Sequence, residues 1–200
     1  MARLNYHYEE AIAGMQKQGE GIKLHVDAEY APLKAAVVGN TASAVVANPD
    51  TWEMENLFKH SSDTLKKLVS EHAGKNLKDA DPAMYDKVVA ESSGLADTLR
   101  QNGVKVVRYN QDSLPDNLRD YNYSWSKQKQ MSMLGHGGGD VVGNCLVLDR
   151  KKVVIRKGVP KIVKEMEKRN FDVIEIDYET IWTLTGSGIH CSVMQLWREF

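Results

Sequence analysis

Residues 145–177 read CLVLDRKKVVIRKGVPKIVKEMEKRNFDVIEID, and this stretch decides the fold. Residues 145–149 and 152–156 are short apolar runs rich in Val, Leu and Ile. Charged residues 149–151 stand between them, so the pair reads as a β-hairpin. Pro160 sits in the first turn of a helix over residues 159–169, where a missing N–H costs no hydrogen bond. Residues 171–177 then alternate apolar and acidic side chains with the period of a strand. The order β-β-α-β places the C-terminal half in the α/β class.

The first half reads as a similar unit. Residues 35–39 form a short apolar run ending on Gly39, a buried strand, with residues 45–49 expected to pair beside it. Residues 53–73 carry Leu57, Leu65, Leu68 and Val69 among charges and suit a surface helix. Asp81-Pro82 opens a second helix through Met84, Val88, Val89, Leu95 and Leu99, and Asn102-Gly103 stops it. Residues 104–109 alternate like a strand. The order is β-β-α-α-β, giving two similar α/β units in series without a literal repeat. Residues 110–135 are polar and irregular, either a long functional loop or a helix. The expected organisation is an N-terminal arm, 1–28, and a single α/β domain, 29–200, divided into a first unit (29–120) and a last unit (136–200).

Composition narrows the function classes. The 200 residues are 42% hydrophobic and 26% charged, with net charge −1, enough for a real core and too neutral for an electrostatic nucleic-acid binder. Two cysteines build no disulfide framework and suit a reducing cytoplasm. No apolar run approaches a membrane span, and the N-terminus lacks a secretory apolar region. A cytoplasmic protein with no membrane or nucleic-acid partner is the expectation. His7, His25, His60 and His72 have no metal-ligand spacing, and no metal or cofactor is expected. Residues 135–139, Gly-His-Gly-Gly-Gly, lack the Lys-Ser/Thr ending of a phosphate loop and the dinucleotide fingerprint. Trp125, Trp182 and Trp197 suit core or interface anchors.

The chemistry concentrates in Gly186-Ser187-Gly188-Ile189-His190-Cys191-Ser192. Glycines allow close backbone approach to a ligand, and a cysteine beside an imidazole can be held as the reactive thiolate. Cys191 is the candidate nucleophile; its alternative is an inert buried cysteine. Cys145 lies in an apolar strand and reads as inert. Asp140, after three glycines, is either an anchor for a cation or a turn aspartate. Arg119-Asp120 is either a substrate contact or a surface ion pair. His136 is the candidate acid/base, or an exposed loop histidine. On a strand His190 would face away from Cys191.

These residues resemble the guanidine-modifying superfamily, which includes the glycine and inosamine amidinotransferases and the arginine and agmatine deiminases. The motif 186–192 resembles its nucleophile loop. Residues 144–171 resemble the last repeat of an amidinotransferase. Glu29-Tyr30-Ala31-Pro32-Leu33-Lys34 with Val37-Val38-Gly39 resembles the first strand, residues 99–106 the next helix and strand, and Arg119-Asp120 the pair that follows. Gly137-Gly138-Gly139-Asp140 resembles the guanidinium-holding segment of the deiminases. The resemblance implies ββαβ repeats of the α/β-propeller kind, with fewer than the family's five blades. It implies transfer of the amidino group of arginine through Cys191 to an amine acceptor. Cys191, His136 and Asp140 would be catalytic; Asp120, Arg119, His190 and Gly188 would contact substrate. The His-x-Asp of this chain, His25-Val26-Asp27, lies in the N-terminal arm and not in a middle repeat, where the family carries its own. The alternatives are a guanidine hydrolase and a non-catalytic relative that binds a partner. A shortened repeat set leaves sheet edges uncovered and favours a homo-oligomer.

Overall fold

The computed structural model describes residues 17–39, 41–42, 44–46, 62–108, 144–185 and 188–200. Strands β1 (His25–Val26) and β2 (Leu33–Val38) precede helices α1 (Asp63–His72), α2 (Leu77–Ala80) and α3 (Pro82–Gln101), then β3 (Lys105–Val107). After residue 144 come β4 (Leu146–Asp149), β5 (Lys152–Arg156), α4 (Pro160–Glu167), β6 (Asp172–Ile176), α5 (Glu179–Thr185), a 3-10 turn (His190–Ser192) and β7 (Val193–Arg198). The described residues are mixed α/β with two small mixed sheets, ordered β1-β7-β2-β3 and β4-β5-β6.

The two sheets share one pattern of pairing. β4 runs antiparallel to β5, and β5 parallel to β6 across the α4 crossover. β7 runs antiparallel to β2, and β2 parallel to β3 across the helices α1 to α3. The C-terminal strand is thus inserted between β1 and β2 in the sheet begun near the N-terminus. The pairing of β2 with β7 is irregular between Leu33 and Ala36, opposite Trp197 and Arg198, and such irregularities re-aim side chains.

The helix boundaries have local causes. Ser62 Oγ accepts from Leu65 N at 3.2 Å and caps α1. Asp81 Oδ1 accepts from Met84 N at 2.9 Å and caps α3, with Pro82 just inside. Gly103, at φ +79°, supplies the left-handed residue after α3. Asn170, at φ 61°, does the same after α4. Val88, Ser92, Leu95, Ala96 and Leu99 form the buried stripe of α3, which packs on β2, β3, β6 and α5. One hydrophobic core therefore spans both sheets, from Ala36 and Val38 to Leu146, Val154 and Ile189. Each fully buried Leu or Ile in it stabilises by about 1.5–3 kcal/mol. Among the described residues no helix is long and apolar enough to cross a membrane.

Several sequence expectations are corrected. Val45 and Val46 do not extend the β2 sheet; Val45 bridges Asn76, and Val46 N donates to Lys75 O at 2.8 Å. Ser62 begins α1 well inside the expected helix 53–73, and Leu57 lies outside the described residues. The final strand β7 is absent from the sequence reading because Val-Met-Gln-Leu-Trp-Arg shows no alternation. It is paired on both sides, by β1 and β2, so neighbours rather than pattern define it.

Candidate functional site

The His190-Cys191 turn is held from several directions. Buried Tyr178 stands just before α5, and its hydroxyl makes a short hydrogen bond with Ser192 Oγ. Burial pushes the Tyr178 phenol well above its ordinary range, against the opposing pull of the Ser192 hydrogen bond. The Glu91 carboxylate, on α3, accepts from Thr180 N and Ile181 N, each at 2.8 Å, and so caps the first turn of α5. On the other side Gly39 N donates to Ser192 O at 3.1 Å, fixing the end of β2 to the turn. Gly39 O accepts from Ser92 Oγ at 2.9 Å and from Arg108 Nη2 at 3.0 Å.

Asn144 organises the turn itself. Its Oδ1 accepts from His190 N at 2.9 Å, and its Nδ2 donates to Cys191 Sγ at 3.1 Å. One carboxamide thus holds the backbone and the sulfur of adjacent residues. An N–H aimed at sulfur is the kind of partner a thiolate accepts from. Gly188 is required by this arrangement. A Cβ there would lie 2.5 Å from both Cβ and Oδ1 of Asn144, closer than real atoms pack.

A cavity of about 310 Å³ opens beside the turn. Its wall includes Glu29, Asn144, Cys145, His190, Gln195 and Arg198. Cys191 is not one of its lining residues, but Asn144, which bonds its sulfur, is. His190 Nε2 lies 3.0 Å from Gln195 Nε2 and 3.6 Å from Glu29 Oε2. Arg198, at the end of β7, is 0% exposed. Its Nε donates to Gln195 Oε1, Nη1 to Ala31 O and Nη2 to Val147 O. It therefore ties the two sheets together behind the cavity. Burial pulls its pKa down, and the charge of Glu29 pulls it back up. Burial pushes the Cys145 thiol up, as its apolar strand setting requires.

Of the residues expected from sequence, Cys191, His190 and Gly188 come together around Asn144. His136, Asp140, Asp120 and Arg119 lie outside the described residues. His190 and Cys191 lie in a 3-10 turn, with Ser192 N donating to Ile189 O at 3.1 Å, so the opposite facing of strand neighbours does not apply to them. Sequence reasoning gave no role to Asn144, Gln195 or Arg198, nor to Glu29 individually. A strand-end arginine announces nothing in sequence, since its burial is set by contacts with residues 31 and 147. Among the described residues no group of three or more His, Cys, Asp or Glu could hold a metal ion. No protein-family model and no curated protein matches the chain.

Proposed function

We propose that the chain is an amidinotransferase-like enzyme acting on an arginine-type guanidine. The Cys191 sulfur attacks the guanidinium carbon. The carbon–nitrogen bond to the side-chain amine then breaks, and that amine leaves with a proton. An acceptor amine attacks the amidino-cysteine, loses a proton, and the carbon–sulfur bond breaks to return the thiol. A guanidinium carbon is a poor electrophile, so the step needs a strong nucleophile and a proton donor for the leaving amine. The sequence candidates for the proton donor and the guanidinium anchor are His136 and Asp140.

The observation that carries this reading is the Asn144 carboxamide, which bonds both His190 N and Cys191 Sγ. It presents the sulfur in a fixed turn beside a cavity of about 310 Å³, large enough for a small guanidine. The shared pairing pattern of β7-β2-β3 and β4-β5-β6 supports ββαβ repeats of the propeller kind, fewer than five in number.

The test is intact-protein mass spectrometry after brief incubation with excess arginine, acid quench and peptide mapping. An amidino adduct on Cys191, absent from Cys191→Ala, is the expected result. Folded protein that never forms an adduct with arginine or other guanidines would make the chain a non-catalytic relative.

A further inference from the structure

Two pairs of hydrogen bonds meet at His190, one running from the buried guanidinium of Arg198 through Gln195 to its ring, the other from its backbone N–H through Asn144 to the Cys191 sulfur. Arginine has donors only, so the Gln195 atom facing Arg198 Nε is the amide oxygen, Oε1. This fixes the amide, and its Nε2 becomes the donor facing His190. Gln195 Nε2 lies 3.0 Å from His190 Nε2, so that ring nitrogen must accept. Separately, the His190 backbone N–H donates to Asn144 Oδ1 at 2.9 Å, which turns the Asn144 Nδ2 donor onto Cys191 Sγ at 3.1 Å. The competing partner of the ring, Glu29 Oε2, lies at 3.6 Å, outside hydrogen-bond range.

The geometry points to Arg198 and Gln195 as positioning residues for the Cys191 thiol. They hold the His190 ring with its proton on Nδ1 and, by fixing that side chain, steady the turn whose backbone N–H sets Asn144 on the sulfur. His190 is gripped at two points, its ring by Gln195 and its backbone by Asn144. The turn therefore cannot rotate without breaking one of them. This inference rests on the amidino-transfer reading only in taking the Cys191 sulfur as the reacting atom. With its proton on Nδ1, His190 has none at Nε2 to give toward the cavity.

The test uses the whole protein with labelled histidine, at about pH 8, where an ordinary imidazole is neutral. Nitrogen–proton correlation spectra of the ring, assigned by loss of the signal in His190→Asn, report which nitrogen carries the proton. The expected wild-type result is a proton on Nδ1 and a bare Nε2. Gln195→Glu keeps an acceptor for Arg198 but presents a second acceptor to the ring. The His190 proton should move to Nε2, and iodoacetamide alkylation of Cys191 should slow about tenfold, the effect of one hydrogen bond of about 1.4 kcal/mol. Gln195→Met should slow it similarly, and this variant decides the rate question if the glutamate variant does not fold. A wild-type proton on Nε2, or an alkylation rate within about twofold of wild type in a folded Gln195 variant, overturns the proposal. Neither readout uses arginine. Failure to form an amidino adduct and failure of this relay are therefore separate results.

Discussion

Gly188 and Asn144 are packed so closely that a Cβ on Gly188 would lie 2.5 Å from Asn144 Oδ1. That oxygen accepts from His190 N, and its partner nitrogen bonds the Cys191 sulfur. Gly188→Ala should therefore displace Asn144, cost about 1–3 kcal/mol as an overpacked site, and slow alkylation of Cys191. Denaturant unfolding and peptide-mapped iodoacetamide labelling measure the two effects. An alanine variant with wild-type stability and rate would show that Asn144 moves aside without consequence.

Arg198 supplies donors to Ala31 O, Val147 O and Gln195 Oε1 from a fully buried position. Arg198→Met orphans all three acceptors, and each orphan costs about 1–3 kcal/mol. The variant should lose about 3 kcal/mol or more. Arg198→Lys should recover only part of this, because one ammonium cannot reproduce the planar fork. Urea unfolding of the three proteins checks the order.

Glu91 reaches from α3 to cap α5 through Thr180 N and Ile181 N. Glu91→Ala should cost about 1 kcal/mol, the usual loss for a helix cap. It should also speed hydrogen exchange at these two amides more than at amides of β5. Glu91→Gln keeps an acceptor and should fall between. Uniform exchange across the chain would mean that α5 does not open on its own.

The buried Tyr178 phenol holds its proton above the ordinary range. The folded state therefore binds this proton more tightly than the unfolded one. Its contribution to stability is complete below about pH 10, the unfolded tyrosine value, and is lost as pH rises beyond it. Wild type should lose stability between about pH 10 and 11.5 more steeply than Tyr178→Phe, approaching about 1.4 kcal/mol per pH unit. Parallel pH profiles from denaturant midpoints would refute the assignment.

Burial also raises the Cys145 thiol. Its thiolate, the form that alkylates, becomes abundant only above the ordinary thiol range. At neutral pH iodoacetamide should therefore label Cys191 ahead of Cys145. Mass mapping of a labelling time course gives the order, and faster labelling of Cys145 would contradict it.

Much of the fold is legible in the chain. The runs at residues 145–149 and 152–156 become β4 and β5, Pro160 opens α4, and Asn102-Gly103 ends α3, because β-branching, proline and glycine act through the local backbone. Part of the site is legible in the same way. Gly188, His190 and Cys191 are near neighbours in sequence, and the motif that brings them together is local.

The tertiary structure decided what local pattern cannot carry. Strand β7 has no alternation of its own and becomes a strand because β1 and β2 pair with it. Arg198 is an ordinary strand-end charge until residues 31 and 147 surround it. Asn144 acquires a role only when Gly188, lacking a Cβ, lets it reach His190 and the sulfur of Cys191. Backbone preference is a property of adjacent residues and is written in sequence. Burial and hydrogen-bond partnership are properties of pairs far apart in the chain, and they exist only once it has folded.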